Sequence, residues 1–172
     1  MRNDLIPMVK FLHENGVKTM VEVGSAEGNS ALSFLSVGMT LTCVDPYIPG
    51  YDEYDGQSKE DKCLAAYDIF QKNILAKHKH VKHIKKTSEE AVSEFDDKSL
   101  DFVYIDGNHR YEHVKNDLLR WKEKIKDGGY IGGHDLERVQ VSNKIKEVKK
   151  AIVEVFGHEP THHGGGNWTI KL

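Results

Sequence analysis

The stretch "SLDFVYIDGNHRYEHVKNDLLRWKEKIKDGGYIGGHD" (residues 99–135) contains a strand pattern, a helix pattern and a second strand pattern in succession. Residues 99–105 are the most hydrophobic strand pattern of the chain, which predicts a buried strand. Over 111–126 the apolar residues recur on one stripe, which predicts an amphipathic helix. The stripe consists of Val114, Leu118, Trp121 and Ile125. Glycines then precede a strand at 128–134, so the stretch predicts one unit of a parallel α/β sheet.

Strand and helix patterns alternate over the rest of the chain in the same way. Further strands are predicted at 19–24, 40–45 and 81–86, and further helices at 4–15, 29–38, 59–78 and 143–156. In the 59–78 helix, the apolar contacts are expected from Leu64, Ile69, Ile74 and Leu75. The end, "EPTHHGGGNWTIKL" (159–172), predicts two strands joined by glycines. Five strand–helix units before a terminal hairpin indicate an α/β sandwich whose strand ends share one edge, where ligands bind.

Length and composition narrow the class of protein. At 172 residues, we expect one domain over 1–172. A net charge of −3 gives no general reason to expect nucleic acid or an anionic membrane as a partner. No run approaches the roughly 20 apolar residues of a membrane span, and the first residues lack a secretory apolar region. Two cysteines are too few for a disulfide framework, which favours a cytoplasmic protein.

The end of the first predicted strand reads "VEVGSAEGNS" (21–30) and contains two glycines that allow a tight turn near a ligand. The spacing is G-x-x-x-G, not the G-x-G-x-x-G of a dinucleotide fingerprint. Asp45 ends the next strand, where an acid can accept hydrogen bonds from ribose hydroxyls. A solvated strand-end aspartate is the alternative for Asp45 alone. Together, the glycines and the acid favour nucleoside binding.

Two later strands end in acids and histidines. Asp106 and His109 follow the fourth strand, and His134 and Asp135 follow the fifth. Neighbouring carboxylates repel each other unless a cation or a proton lies between them, and Mg²⁺ or Mn²⁺ would satisfy them. His109 could accept a proton from a substrate hydroxyl. The alternative is a turn capped by Asp106 with a surface histidine behind it.

Other polar features carry weaker predictions. The histidines in "AKHKHVKH" (76–83) alternate with lysine, which is typical of a solvated surface. "TSEE" (87–90) predicts a capping box formed by Thr87 and Glu90. The loop at 46–58 is long enough to be a lid, and its candidate contacts are Tyr47, Tyr51 and Tyr54.

With these motifs in place, the chain resembles the class I S-adenosylmethionine-dependent methyltransferases over about residues 18–156. Within them it is most similar to the type 24 branch, which includes macrocin-type sugar O-methyltransferases and cephalosporin-hydroxylase-like proteins. "VEVGSAEGNSALSFL" (21–35) resembles the glycine motif, and "CVDP" (43–46) resembles the acidic strand-end motif. The block at 101–135 is similar throughout to the longest and most specific block of the branch.

The resemblance implies a Rossmann-like three-layer sandwich with a seven-stranded, mostly parallel sheet whose last strand is antiparallel. It implies S-adenosylmethionine as cofactor, bound by Glu22, Gly24, Ser25, Gly28, Asp45, Thr87 and Ser88. Relatives often carry an adenine-contacting acid where this chain has Thr87. The resemblance also implies Asp106 as a metal ligand, His109 as the base, and His134 and Asp135 at the positions of two further acidic ligands. His134 departs from that pattern, because nitrogen is a softer ligand than Mg²⁺ prefers.

The sequence therefore predicts an O-methyltransferase that acts on a hydroxyl of a small molecule, with a sugar or glycoside as the first expectation. His109 and Asp106 are its predicted catalytic residues, and homo-oligomer formation stays open. Three alternatives remain at this stage. They are a nucleotide-binding oxidoreductase, a methyltransferase-like binding module without catalysis, and a metal-dependent oxidoreductase or hydrolase.

Overall fold

The structure, a computed structural model, describes residues 1–52, 56–138 and 146–172. Tyr54 of the candidate lid and the first residues of the helix predicted at 143–156 lie outside these ranges. The strands are β1 Thr19–Val23, β2 Thr40–Val44, β3 Lys82–Ile84, β4 Leu100–Ile105, β5 Ile125–Gly133, β6 Thr161–Gly164 and β7 Asn167–Lys171. They form a seven-stranded sheet in the order β3-β2-β1-β4-β5-β7-β6.

The pairing directions confirm the predicted sheet. Strands β1 to β5 pair in parallel with their neighbours, whereas β7 runs antiparallel to both β5 and β6. The glycine-rich link at 164–166 makes this reversal because all three glycines adopt positive φ angles, which other residues rarely adopt. The last strand is therefore antiparallel, as expected.

Helices cover both faces of the sheet. They are α1 Ile6–Glu14, α2 Asn29–Leu35, α3 Glu60–Phe70, α4 Ser88–Ala91, α5 Tyr111–Trp121 and α6 Glu147–Phe156. Strand residues alternate between the faces, since Met20 packs with Phe34 of α2, and Val21 packs with Leu118 of α5. Helices α1 to α3 cover one face and α4 to α6 the other. This is the predicted three-layer sandwich.

The strand order creates a crevice beside β1. After β1 the chain builds β2 and β3 on one side, then returns to build β4 on the other side. The helices that follow β1 and β4 lie on opposite faces, because α2 belongs to one core and α5 to the other. Connections that diverge in this way leave a ligand-sized gap at the carboxyl ends of the strands.

Three details of the predicted helices were wrong. The 59–78 helix is α-helical only to Phe70 and continues as a π turn over Gln71–Leu75. Leu64 does not contribute a core contact, because 54% of it is exposed; the buried face of α3 consists of Cys63, Ala66 and Phe70. Ile125 is buried as predicted, but it begins β5 rather than ending α5.

Candidate functional site

The turn after β1, residues 24–28, is held tightly between the ends of its two neighbouring strands. Gly24 donates a hydrogen bond to the Val44 carbonyl of β2 at 2.8 Å. A Cβ atom on Gly24 would lie 2.3 Å from the Asp106 carbonyl oxygen after β4. Gly24 has φ +87° and Gly28 has φ +83°, and both angles favour glycine. The turn therefore needs these glycines for its packing as well as for ligand access.

Asp45 anchors this glycine turn. Its Oδ2 atom accepts hydrogen bonds from the backbone N–H groups of Ser25 and Ala26, both at 2.9 Å. Its Oδ1 atom accepts one from the Tyr47 N–H at 2.9 Å. Ala26 and Tyr47 adopt positive φ angles of 42° and 48°, which these contacts help to stabilise. Asp45 is therefore not a solvated strand end.

Below the turn lies a buried polar pair. Glu22 is fully buried, and burial raises the pKa of its carboxyl to about 7. Within the described ranges, Glu22 Oε1 and Ser25 Oγ are buried atoms without a hydrogen-bond partner. Such atoms are costly unless a ligand, water or ion satisfies them. Ser25 lines the crevice, although its hydroxyl oxygen is itself buried.

A cavity of about 370 Å³ fills the crevice. Seven predicted site residues line it: Gly24, Ser25, Asp45, Ser88, Asp106, His109 and Asp135. Glu22, Gly28, Thr87 and His134 are not among its lining residues. The structure thus brings the glycine turn, the strand-end acid of β2 and the acids after β4 and β5 to one cavity.

Thr87 is engaged elsewhere. It forms the predicted capping box, in which the Glu90 N–H donates to Thr87 Oγ1 at 3.3 Å and the Thr87 N–H donates to Glu90 Oε2 at 3.0 Å. These bonds satisfy free donors at the start of α4. The neighbouring residue, Ser88, is the one that faces the cavity.

Asp106, His109, His134 and Asp135 form what we call the acid–histidine cluster. One ligand atom each from Asp106, His134 and Asp135 lies within 4.8 Å of the others. His134 Nε2 lies 2.8 Å from the Gly165 carbonyl, which can only accept. This contact directs the other ring nitrogen, Nδ1, toward the carboxylates, 3.2 Å from Asp135 Oδ1 and 3.8 Å from Asp106 Oδ1. Three lone-pair atoms in this arrangement require a proton or a cation between them.

His109 is buried against the same carboxylates. Its Nε2 atom lies 2.8 Å from Asp135 Oδ2 and 3.4 Å from Asp106 Oδ1. Burial alone would lower the pKa of His109, but the hydrogen bonds to Asp106, Asp135 and Asp52 outweigh it and raise the pKa well above its ordinary value. The carboxylates therefore favour the imidazolium form of His109, and additional positive charge beside them, such as a bound divalent cation, would favour the neutral form.

Two arginines complete the charge balance of the cluster. Arg2 Nη1 donates to Asp106 Oδ2 at 2.8 Å. Arg138 Nη1 lies 3.2 Å from Asp135 Oδ2 and 3.0 Å from His109 Nδ1. Because guanidinium has only donors, the contact with His109 is a hydrogen bond only when Nδ1 carries no proton. Arg138 can thus support the neutral form of His109, which is the form a base requires.

Five polar residues of this region are not among the predicted site residues: Arg2, Asp52, Asn108, Asp117 and Arg138. Arg2 reaches Asp106 across 104 positions of the chain, so no local pattern could reveal the pair. Asn108 fixes the 46–52 segment by donating to the Tyr51 carbonyl at 3.1 Å. Asp117 did leave a signal, because it is an acid on the buried stripe of α5 beside Leu118.

The described residues include no helix that is both long enough and apolar enough to cross a membrane.

The sheet order, the three layers and the cavity at the strand ends define the Rossmann-like fold of class I S-adenosylmethionine-dependent methyltransferases. A Staphylococcus aureus protein assigned as a caffeoyl-CoA O-methyltransferase has a similar structure, with a TM-score of 0.72, 16% identity, and coverage of 99% of this chain and 83% of that one. The Podospora anserina methyltransferase PaMTH1, solved with S-adenosylhomocysteine bound, has a TM-score of 0.63 at 11% identity, over 94% of this chain and 74% of that one.

A family model described as "Methyltransferase domain", the type 24 branch, matches residues 21–136, so the chain belongs to that methyltransferase family. Uncharacterized protein R132 of Acanthamoeba polyphaga mimivirus is 30% identical over 143 residues, which are 78% of this chain. This chain spans 59% of the length of R132 and 6% of a second curated relative.

Proposed function

We propose that this chain is an S-adenosylmethionine-dependent O-methyltransferase that acts on a hydroxyl of a small molecule, with a sugar or glycoside as the expected acceptor. We further propose that a divalent cation, Mg²⁺ or Mn²⁺, assists it. One observation carries this proposal: His109 and the carboxylates of Asp106 and Asp135 face the same cavity as the glycine turn and Asp45. A methyl donor and a proton acceptor could therefore meet there.

The residues around the glycine turn fit the cofactor. Ser25 and Asp45 both line the cavity. Within the described ranges, Asp45 Oδ1 accepts one backbone hydrogen bond, which leaves a lone pair for a ribose hydroxyl. When bound, S-adenosylmethionine supplies an activated methyl group. Gly24 permits the close approach that this binding needs. Glu22 lies behind the turn and would act on the cofactor through Ser25 or water.

The acid–histidine cluster fits the chemistry at the acceptor. His109 in its neutral form would take the proton of the substrate hydroxyl at Nδ1, which Arg138 would have to leave, and Asp135 would orient the ring through the contact at Nε2. The burial of His109 keeps water away from this proton transfer. Aligning the acceptor oxygen with the methyl group supplies the remaining rate advantage.

The donor set of the cluster also fits a divalent cation. Asp106 and Asp135 supply oxygen atoms, and His134 Nδ1 supplies a nitrogen atom directed at them. A cation bound by these residues would lower the pKa of a substrate hydroxyl. Arg2 pairs with Asp106 and would have to leave that carboxylate. His134 makes Mn²⁺ more favourable than in an all-oxygen site, because Mn²⁺ tolerates nitrogen ligands better than Mg²⁺ does.

Calorimetric titration with S-adenosylmethionine, with and without Mg²⁺ or Mn²⁺, tests the proposal. We expect saturable cofactor binding by the wild type and separate cation binding that Asp135→Asn weakens at least tenfold. Arg2→Ala should strengthen cation binding about threefold or more, because it removes a competing charge from Asp106. NAD(H) serves as the negative control. Absence of cofactor binding would contradict the assignment, and cofactor binding without methyl transfer to any hydroxylated acceptor would favour a binding module.

A further inference from the structure

Asp117 is a buried acid that the proposed chemistry does not use. It lies on α5 with 8% of its surface exposed, on the stripe that packs Leu118 and Trp121 into the core. Charged side chains are almost never buried to this extent without a partner. Asp117 also lines the cavity, beside its hydrogen-bond partner Ser88. Its position suggests contact with a ligand.

Among the described residues, one of the two carboxyl oxygens of Asp117 is engaged. Ser88 Oγ donates to Oδ1 at 2.5 Å, and Trp121 Nε1 donates to Ser88 Oγ at 2.8 Å. These bonds fix the orientation of the carboxyl group. Within the described ranges, no protein group donates to Oδ2. Burial raises the pKa of Asp117 to about 7, so the group has both an acceptor and a neutral, donating form near physiological pH.

The strand order places Ser88, the hydrogen-bond partner of Asp117, next to the strand end that carries Asp45. Asp45 ends β2, and Ser88 follows β3, which is the neighbour of β2 in the sheet. A nucleoside whose ribose is held at Asp45 would therefore extend its base from there toward Ser88 and Asp117. The cavity is continuous between these residues, which all line it.

We infer that Asp117 recognises the adenine base of the cofactor, with Oδ2 accepting a hydrogen bond from the exocyclic amine. This inference rests on the proposed function. It also accounts for Thr87, whose N–H and hydroxyl are used in the capping box and which does not line the cavity. The acceptor that relatives carry at the strand end is supplied here by helix α5.

The test compares two ligands that differ at the exocyclic position of the base and, with it, in whether the adjacent N1 carries a hydrogen. S-adenosylhomocysteine carries the amine, and S-inosylhomocysteine carries a carbonyl oxygen at that position. At about pH 8.5, where the Asp117 carboxyl is ionised, the wild type should bind the adenosyl ligand about tenfold more tightly or better, because a charged acceptor is left facing an oxygen in the other complex. In Asp117→Asn, whose amide can donate as well as accept, the two affinities should come within about threefold.

The matched control is Asp127→Asn, which removes an acid that is 84% exposed on β5, and it should keep the wild-type ratio. A purely structural role for Asp117 would lower both affinities by the same factor and leave the ratio unchanged, which would overturn the inference. If Asp117→Asn shows no cooperative unfolding, Asp117→Ser, which retains a partner for Ser88, takes its place. Wild-type affinity for the N6,N6-dimethyl derivative of S-adenosylhomocysteine gives a second readout, and undiminished binding would also overturn the inference.

Failure of this inference can be told apart from failure of the proposed function. A wild type that binds neither adenosyl nor inosyl ligand contradicts cofactor binding itself, and the inference falls with it. A wild type that binds S-adenosylhomocysteine, with a ligand ratio unaffected by Asp117→Asn, contradicts only the role of Asp117.

Discussion

The two ends of the cavity are stabilised by different kinds of interaction. At the glycine turn, backbone groups dominate: one side chain, Asp45, accepts three backbone N–H groups. At the acid–histidine cluster, side chains dominate: Arg2 and Arg138 pair with Asp106 and Asp135, and His109 lies between those acids. The first end keeps its shape without a ligand. The second end is balanced by charges that a substrate or cation would have to rearrange.

This difference assigns different tasks to the two ends. A turn whose backbone is already fixed suits a cofactor that every reaction cycle uses, because binding to it costs little conformational entropy. A network of ionisable groups suits proton transfer, because small changes in neighbouring charge move its protons. The ends are joined directly, since Gly24 packs against the Asp106 backbone. The following substitutions separate their contributions.

The largest effect is expected at the cluster. His109→Gln keeps a donor toward Asp135 but cannot take a proton, so turnover should fall about 100- to 10,000-fold, the usual worth of a positioned base. Affinity for S-adenosylhomocysteine should stay within about threefold. Steady-state kinetics and calorimetry measure the two quantities. His80→Gln, an exposed histidine before β3, is the control and should change neither.

If His109→Gln lowered the affinity for S-adenosylhomocysteine by the same factor as it lowered turnover, the distinction between the two ends would not hold. His109 would then be part of the cofactor site.

The fold was predictable because its signals are periodic. Met20 and Val21 alternate between the faces of β1, and Val114 and Leu118 recur on one face of α5. Such spacings are visible in one sequence. The exposure of Leu64 was not predictable, because it depends on which face of α3 meets the core. The π turn that follows α3 has no sequence signature of that kind.

The site was predictable only where strand ends mark it. Asp45, Asp106 and Asp135 each follow a strand, and parallel strands bring such residues to one edge. Arg2 comes from the other end of the chain, so tertiary contact alone reveals it. The sequence also could not show that Thr87 serves the capping box and does not face the cavity, although it did predict the box itself.

The next effect concerns the buried acid below the glycine turn. Burial raises the pKa of Glu22 from 4.5 to about 7, so its neutral form is favoured in the folded state. Below pH 4.5 the Glu22 carboxyl is neutral in both the folded and the unfolded state, so its burial does not change the free energy of unfolding with pH. Between pH 4.5 and pH 7 the unfolded state loses the proton first, so the free energy of unfolding falls as pH rises. At about 1.4 kcal/mol per pKa unit, the full cost above pH 7 is about 3 kcal/mol.

Glu22→Gln removes this titration. Between pH 4.5 and pH 8, the free energy of unfolding of the wild type should fall by about 3 kcal/mol relative to the variant. Urea unfolding at the two pH values measures the change. Glu14→Gln, on an acid that is 62% exposed, should show no such difference. A constant gap between wild type and Glu22→Gln at both pH values would contradict the raised pKa.

The smallest effect is expected at Asp45, because several groups of the glycine turn share the binding of the cofactor. Asp45→Asn keeps one acceptor oxygen but turns an amide N–H₂ toward a backbone N–H donor, so one charge-assisted contact becomes repulsive. Affinity for S-adenosylhomocysteine should fall about tenfold, the usual cost of such a contact. Turnover at saturating cofactor should stay within about threefold, because His109 and its acids are untouched. Asp68→Asn, on an exposed acid of α3, is the matched control. A selective loss of turnover in Asp45→Asn would show that the glycine turn positions the acceptor as well as the cofactor.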